Sequence, residues 1–156
     1  MFFAVDTSTL IVLRELDWIA LCNQSGHQFM WPSSVTEELK RQKGKNQKFL
    51  SLLASHEALE HALKQPMYIE EISQTDADVI ALAREQKITI LSEDILLRKK
   101  ADRVGVSAIS LASFCVLLYQ SGFFSKDECL ARLKALFEKK FISQATYRQL
   151  LLGLTT

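Results

Sequence analysis

Residues 75–104 read TDADVIALAREQKITILSEDILLRKKADRV, a stretch whose pattern is helix, strand, helix. Thr75-x-x-Asp78 matches a capping box with a carboxylate in place of the usual Glu or Gln. Val79, Leu82 and Ala83 then recur at helical spacing. Lys87 to Leu91 is a short apolar, β-branched run, long enough for one buried strand. Ser92-Glu93-Asp94 follows, and a second helix opens with Leu96, Leu97 and Ala101 on one side. Asp76 falls in a first helical turn, and Asp94 just beyond the carboxyl end of a strand. In open α/β sheets that end of the strands is where sites are built.

Working outward, the same alternation continues in both directions. Phe2 to Val5 is an apolar run ending on Asp6-Thr7-Ser8, so a strand stops on a carboxylate and a helix starts, carrying Leu10, Leu13 and Leu16. Asp17 is placed to cap a second short helix with Trp18, Leu21 and Cys22. His27 to Trp31 reads as a second strand, with Pro32 in the first turn of the helix Ser33 to Arg41. The pattern predicts a helix over Phe49 to Leu63, with Leu52, Leu53, Leu59 and Leu63 inward and Pro66 as its end. Met67 to Ile72 reads as a third strand. Beyond Val104, Gly105 is a helix stop and Val106 to Ile109 a last strand. Helices then start at Ser110, at the capping box Ser125-x-x-Glu128 and at Ser143. The expected fold is α/β: a three-layer sandwich around a mostly parallel sheet, with the Phe2 to Val5 strand central and extra C-terminal helices. We expect a single domain over residues 1–156, with 111–156 as a helical extension.

Composition narrows the classes of function. Apolar residues make up 48% of the 156 and charged residues 24%, which is a globular balance. A formal net charge of +1 leaves no global pull toward polyanions, so a nucleic-acid site would be a local patch. Cys22, Cys115 and Cys129 are odd in number and widely spaced, with neither a disulfide framework nor a thiolate zinc pattern. A reducing cytoplasm fits this usage. The N-terminal residues lack a signal-peptide pattern, and no apolar run has membrane-spanning length, so no membrane partner is expected.

Asp6 and Asp94 fall at strand ends, Asp76 at a helix start and Glu38 inside the helix after Pro32. Crowded carboxylates raise one another's pKa unless a cation joins them, and an all-oxygen set suits Mg²⁺ or Mn²⁺. The segments Val-Asp6-Thr-Ser8, Pro32-Ser-Ser-Val35-Thr-Glu-Glu38-Leu, Thr75-Asp76-Ala-Asp78-Val-Ile-Ala-Leu-Ala83 and Ile-Leu-Ser92-Glu93-Asp94-x-x-Leu97 resemble, in order and spacing, the four signature segments of PIN-domain nucleases. The resemblance spans Phe2 to Leu111. It is nearest to small prokaryotic single-domain PIN proteins, a group that includes the VapC-like ribonuclease toxins. It implies a metal-dependent endonuclease acting on single-stranded RNA, with Asp6, Glu38, Asp76 and Asp94 as the acidic quartet holding Mg²⁺ or Mn²⁺. Ser8 and Ser92 match its supporting hydroxyls. In that setting an antitoxin-like protein is a candidate partner.

Each residue also has a plain structural reading. Asp6 and Asp94 are placed to cap helices, Asp76 sits where a helix dipole favours an anion, and Glu38 lies beside Glu37. Asp78 and Glu93 are second-choice acids. Arg14, Lys40, Arg41, Arg98 and Lys99 lie near the proposed ligands and are candidate phosphate contacts, against the ordinary reading of a solvated helix face. The histidines show no metal spacing, and Cys22, Cys115, Cys129, Trp18 and Trp31 read as packing residues. A haloacid-dehalogenase-like phosphatase needs a second aspartate where Ser8 stands. The stronger rival is a catalytically silent PIN-like module that binds RNA or protein. The apolar C-terminal helices, with Phe114, Leu117, Phe124, Leu133 and Phe137, offer a packing face or a homodimer surface.

Overall fold

The structure is a computed structural model that describes residues 1–41 and 59–155. Its chain divides into two compact units, Met1–Ile109 and Ser110–Thr156. The first is a five-stranded parallel sheet in the order β3-β2-β1-β4-β5. Its strands are β1 (Phe2–Val5), β2 (Gln28–Pro32), β3 (Leu59–His61), β4 (Thr89–Leu91) and β5 (Ala108–Ile109). Between them run α1 (Thr7–Glu15), α2 (Ile19–Gln24), α3 (Ser33–Arg41), α4 (Gln74–Gln86) and α5 (Ile95–Arg103).

β1 is central because its residues have no polar side to show. Phe3, Ala4 and Val5 are each fully buried although successive side chains point to opposite faces. It pairs with β2 on one side and with β4 on the other, where Val5 lies opposite Leu91. The chain therefore leaves β1 in one direction and resumes at β4 in the other. That is a topological switch point, and its crevice opens at the carboxyl ends of β1 and β4. Parallel neighbours joined by right-handed crossovers place α1 to α3 and α4 to α5 on opposite faces of the sheet. α4 packs against β1, β2 and β4 through an almost wholly buried run, Ala77 and Val79 to Ala83.

Helix ends explain several boundaries. Asp17 does not cap α2. It ends α1 in a left-handed conformation (φ 58°), where its own N–H and that of Trp18 close back on the Arg14 and Leu13 carbonyls. Lys87 ends α4 the same way (φ 54°), so β4 begins only at Thr89. Gly105 stops α5 at φ 77°. Pro32 is the last residue of β2, opposite His61, and not the first of α3.

Two expectations fail together. Met67 to Ile72 is not a strand; it is a loop and turn carrying Tyr68 at 83% exposure and Glu71 at φ 72°. The strand at that edge of the sheet is β3, inside the region read as the end of a helix, so His61 is a strand residue. The start of that predicted helix, with Leu52, Leu53 and His56, lies outside the described residues.

The second unit is helical: α6 (Leu111–Gln120), α7 (Lys126–Glu138) and α8 (Gln144–Thr155). Ser110 caps α6, and Ser125 with Glu128 forms the expected reciprocal box at α7. Phe137 and Tyr147 stack at 4.7 Å between α7 and α8. All three cysteines are buried and reduced. No described helix is long and apolar enough to cross a membrane.

Candidate functional site

The carboxyl ends of β1 and β4 deliver the first two acids. Asp6 follows Val5 directly and is 1% exposed. It stands before α1, but its side chain makes no cap bond. Instead Oδ2 accepts the Ser8 hydroxyl at 2.8 Å, and buried Oδ1 has no hydrogen-bond partner. Burial pushes the Asp6 carboxyl above its usual range, and the hydroxyls of Thr9, Ser8 and Ser92 pull it part of the way back. A buried carboxylate oxygen without a hydrogen-bond partner is costly.

Asp94 follows β4 across a short turn. Its Oδ1 accepts from the Leu96 and Leu97 amides and caps α5. The turn is built from its neighbours. Buried Ser92 accepts the Asp94 N–H on its hydroxyl and the Arg98 guanidinium, at 2.6 Å, on its carbonyl. Thr9, also fully buried, accepts the Glu93 N–H at 2.9 Å and so ties the first turn of α1 to the loop after β4.

The other two acids come from helices. Glu38, one turn before the end of α3, accepts the Thr7 hydroxyl at 2.5 Å. Asp76 lies in the first turn of α4. The N-cap there is Ser73, whose hydroxyl accepts the Asp76 N–H, so the proposed Thr75–Asp78 box does not form. The turn leading into it is held by an ion pair between exposed Glu71 and buried Lys100, at 3.1 Å.

Glu38, Asp76 and Asp94 meet in one cleft of about 280 Å³, lined with them by Thr7, Ser8, Ile11 and Ser73; buried Asp6 is not among its lining residues. Asp76 registers the crowding: its pKa is pushed up to about 6, first by burial and then by the charges of Asp6, Asp94 and Glu38. No imidazole or thiol is among the lining residues. Among the described residues, no three acid, histidine or cysteine side chains stand as a ready-made metal-ligand set. The carboxylates are near enough for Asp6, Asp94 and Glu38 to act on Asp76. Unpartnered Asp6 Oδ1 and an all-oxygen donor set nonetheless fit a hard divalent cation that keeps part of its water shell.

A family model described as a PIN domain matches residues 2–155. This chain belongs to the PIN-domain family. PIN domains are generally nucleases, and the family match runs over both compact units of this PIN domain. A PilT N-terminus domain protein from the hyperthermophilic archaeon Sulfolobus solfataricus is similar in fold, with a TM-score of 0.60 at 18% identity over 72% of this chain and 89% of that one. A domain of a functionally unknown protein from Methanocaldococcus jannaschii aligns at a TM-score of 0.49 and 18% identity, over 70% of this chain and 89% of that one. Among curated proteins, none matches the chain.

The PIN domain brings Glu38, Asp76 and Asp94 to the cleft, keeps Asp6 near enough to raise the Asp76 carboxyl, and engages Asp78 elsewhere. Both Asp78 oxygens are taken, by Ser34 and Gln74, and Glu93 is anchored through its backbone N–H. Of the basic candidates, Arg98 is bonded to the Ser92 carbonyl, Arg14 lies 3.8 Å from Glu15, and Lys40, Arg41 and Lys99 are exposed. Thr7, Thr9 and Ser73 were not singled out from sequence. Their only signal was the density of hydroxyls beside Asp6 and Asp76, which also reads as ordinary helix starts.

Proposed function

We propose that this PIN domain is a metal-dependent endoribonuclease that hydrolyses single-stranded RNA, with Asp6, Glu38, Asp76 and Asp94 holding Mg²⁺ or Mn²⁺. The observation that carries this reading is the convergence of Glu38, Asp76 and Asp94 in one cleft at the switch point of the sheet, where Asp6 is near enough to help push the Asp76 carboxyl up to about 6. Mutually repelling carboxylates cost stability in a free protein, and a cation turns that cost into affinity. Bound there, the ion would lower the pKa of a water for attack on phosphorus and neutralise charge on the phosphate oxygens.

The chain's own residues do the rest. Ser8 and Thr7 fix the carboxylates of Asp6 and Glu38, and the amides of Leu96 and Leu97 fix Asp94. Exposed Lys40, Arg41 and Lys99 supply counter-charge for the phosphate chain. A toxin role, with an antitoxin-like partner, is a biological setting for the same chemistry. The second reading, a silent module that binds RNA or protein, is favoured by the absence of a preassembled ligand triad among the described residues.

The test is cleavage of an end-labelled single-stranded RNA with Mn²⁺, with Mg²⁺ and with EDTA, alongside calorimetric Mn²⁺ titration. Metal-dependent cutting by the wild type is expected. In Asp6→Asn and Asp94→Asn both cutting and Mn²⁺ affinity should fall by more than about 100-fold, since even the loss of an outer-shell partner costs about 10–100-fold. Cutting that persists in both variants would belong to a contaminant. Wild-type RNA binding with neither cutting nor Mn²⁺ affinity would establish the silent module.

A further inference from the structure

Glu38 and Asp76 stand on different helices, α3 and α4, and neither is fixed by the sheet as Asp6 and Asp94 are. Packing on the sheet holds both helices, and one carboxylate links them directly. Asp78, on α4, accepts the Ser34 hydroxyl of α3 on Oδ2 at 2.7 Å. Its Oδ1 accepts the Gln74 side-chain amide at 2.9 Å, and the same amide donates to the Met67 carbonyl at 2.9 Å. One residue thus clamps the first turn of α3, the first turn of α4 and the loop before α4. Ser34 lies four residues before Glu38 on α3, and Asp78 two residues after Asp76 on α4. Asp78 itself does not line the cleft.

The geometry points to Asp78 as a positioning residue that sets the spacing of Glu38 and Asp76, and hence the affinity of the cleft for a divalent cation. This rests on the reading of that cleft as a metal site. Its acidity misleads in sequence, because a carboxylate two residues from a ligand looks like a ligand. Here both of its oxygens are already engaged by donors outside the cleft.

The two roles separate by substitution. In Asp78→Asn the charge goes but the clamp survives. The Asn carbonyl still accepts from Gln74, and the Ser34 hydroxyl, which both donates and accepts, turns to take the Asn amide. In Asp78→Ala both bonds go. Ser34→Ala removes the α3 arm alone.

Calorimetric Mn²⁺ titration of the full chain, with melting in EDTA to confirm that each variant folds, reads the difference. Asp78→Ala should weaken Mn²⁺ binding about 10–100-fold and Ser34→Ala about 2–10-fold. Asp78→Asn should stay within about threefold of wild type, less than 1 kcal/mol. If Asp78→Asn loses as much as Asp78→Ala, the carboxylate acts by charge or ligation and the positioning role is wrong. Wild-type affinity in Asp78→Ala would equally overturn it. A wild type that takes up no Mn²⁺ would bring down the metal reading itself, and this role with it, while the other two outcomes leave that reading standing.

Discussion

Asp76 is the residue at which the electrostatic cost of the site can be measured. Its ordinary pKa is 3.8 and its folded value about 6. A carboxyl that holds its proton more tightly when folded contributes stability in full below the unfolded value and loses it as pH rises through the folded one. The metal-free protein should therefore lose stability between about pH 4 and about pH 7, and Asp76→Asn should lose less. Asp76 is only half buried and water screens it, so the effect is on the order of 1 kcal/mol, or about 2–4 °C in Tm. Thermal melts in EDTA across that range test the sign, and a wild-type slope no different from that of Asp76→Asn would refute it. The residue was legible in sequence as an acid at a helix start. Its environment was not, because burial and the proximity of Asp6, Asp94 and Glu38 are properties of the folded chain.

At the scale of the element, Asp94 shows that the structural and functional readings of one residue need not compete. It caps α5 through Oδ1 and lines the cleft at the same time. Asn caps a helix about as well as Asp, whereas Ala does not. Asp94→Asn should keep a metal-free Tm close to wild type and lose Mn²⁺ binding, while Asp94→Ala should lose Mn²⁺ binding and about 1 kcal/mol of stability besides. Equal melting of the two variants would show that the cap contributes nothing.

Other element readings divide by the range of the forces involved. The helix starts at Ser110 and Ser125 were correct because a cap is a local hydrogen bond. Ser73 displaced Thr75 as the cap of α4, since two hydroxyls two residues apart offer two local solutions. β3 and the loop at Met67 to Ile72 were exchanged because a short edge strand owes its existence to its neighbour.

For the whole molecule, a net charge of +1 means that any hold on RNA comes from a few cations near the cleft. Lys99 is exposed and on the helix that Asp94 caps, whereas Arg98 also supports the Ser92 loop. Lys99→Ala should weaken RNA binding at low salt and reduce the salt slope by about one, with Mn²⁺ affinity unchanged. Arg98→Ala should disturb both. An unchanged salt slope in Lys99→Ala would remove it from the interface.

Most of the strand and helix order and the central place of β1 are legible from neighbours along the chain, because apolar periodicity and strand-end residues are local. The strand order that puts β1 beside β4, the meeting of α3 with α4, and the partners of Thr7, Thr9 and Asp78 come from the folded chain. Those depend on contacts between residues far apart in the chain, such as the bond from Glu93 to Thr9 across 84 positions. No local pattern encodes such a contact, which exists only once the sheet and its crossovers have formed.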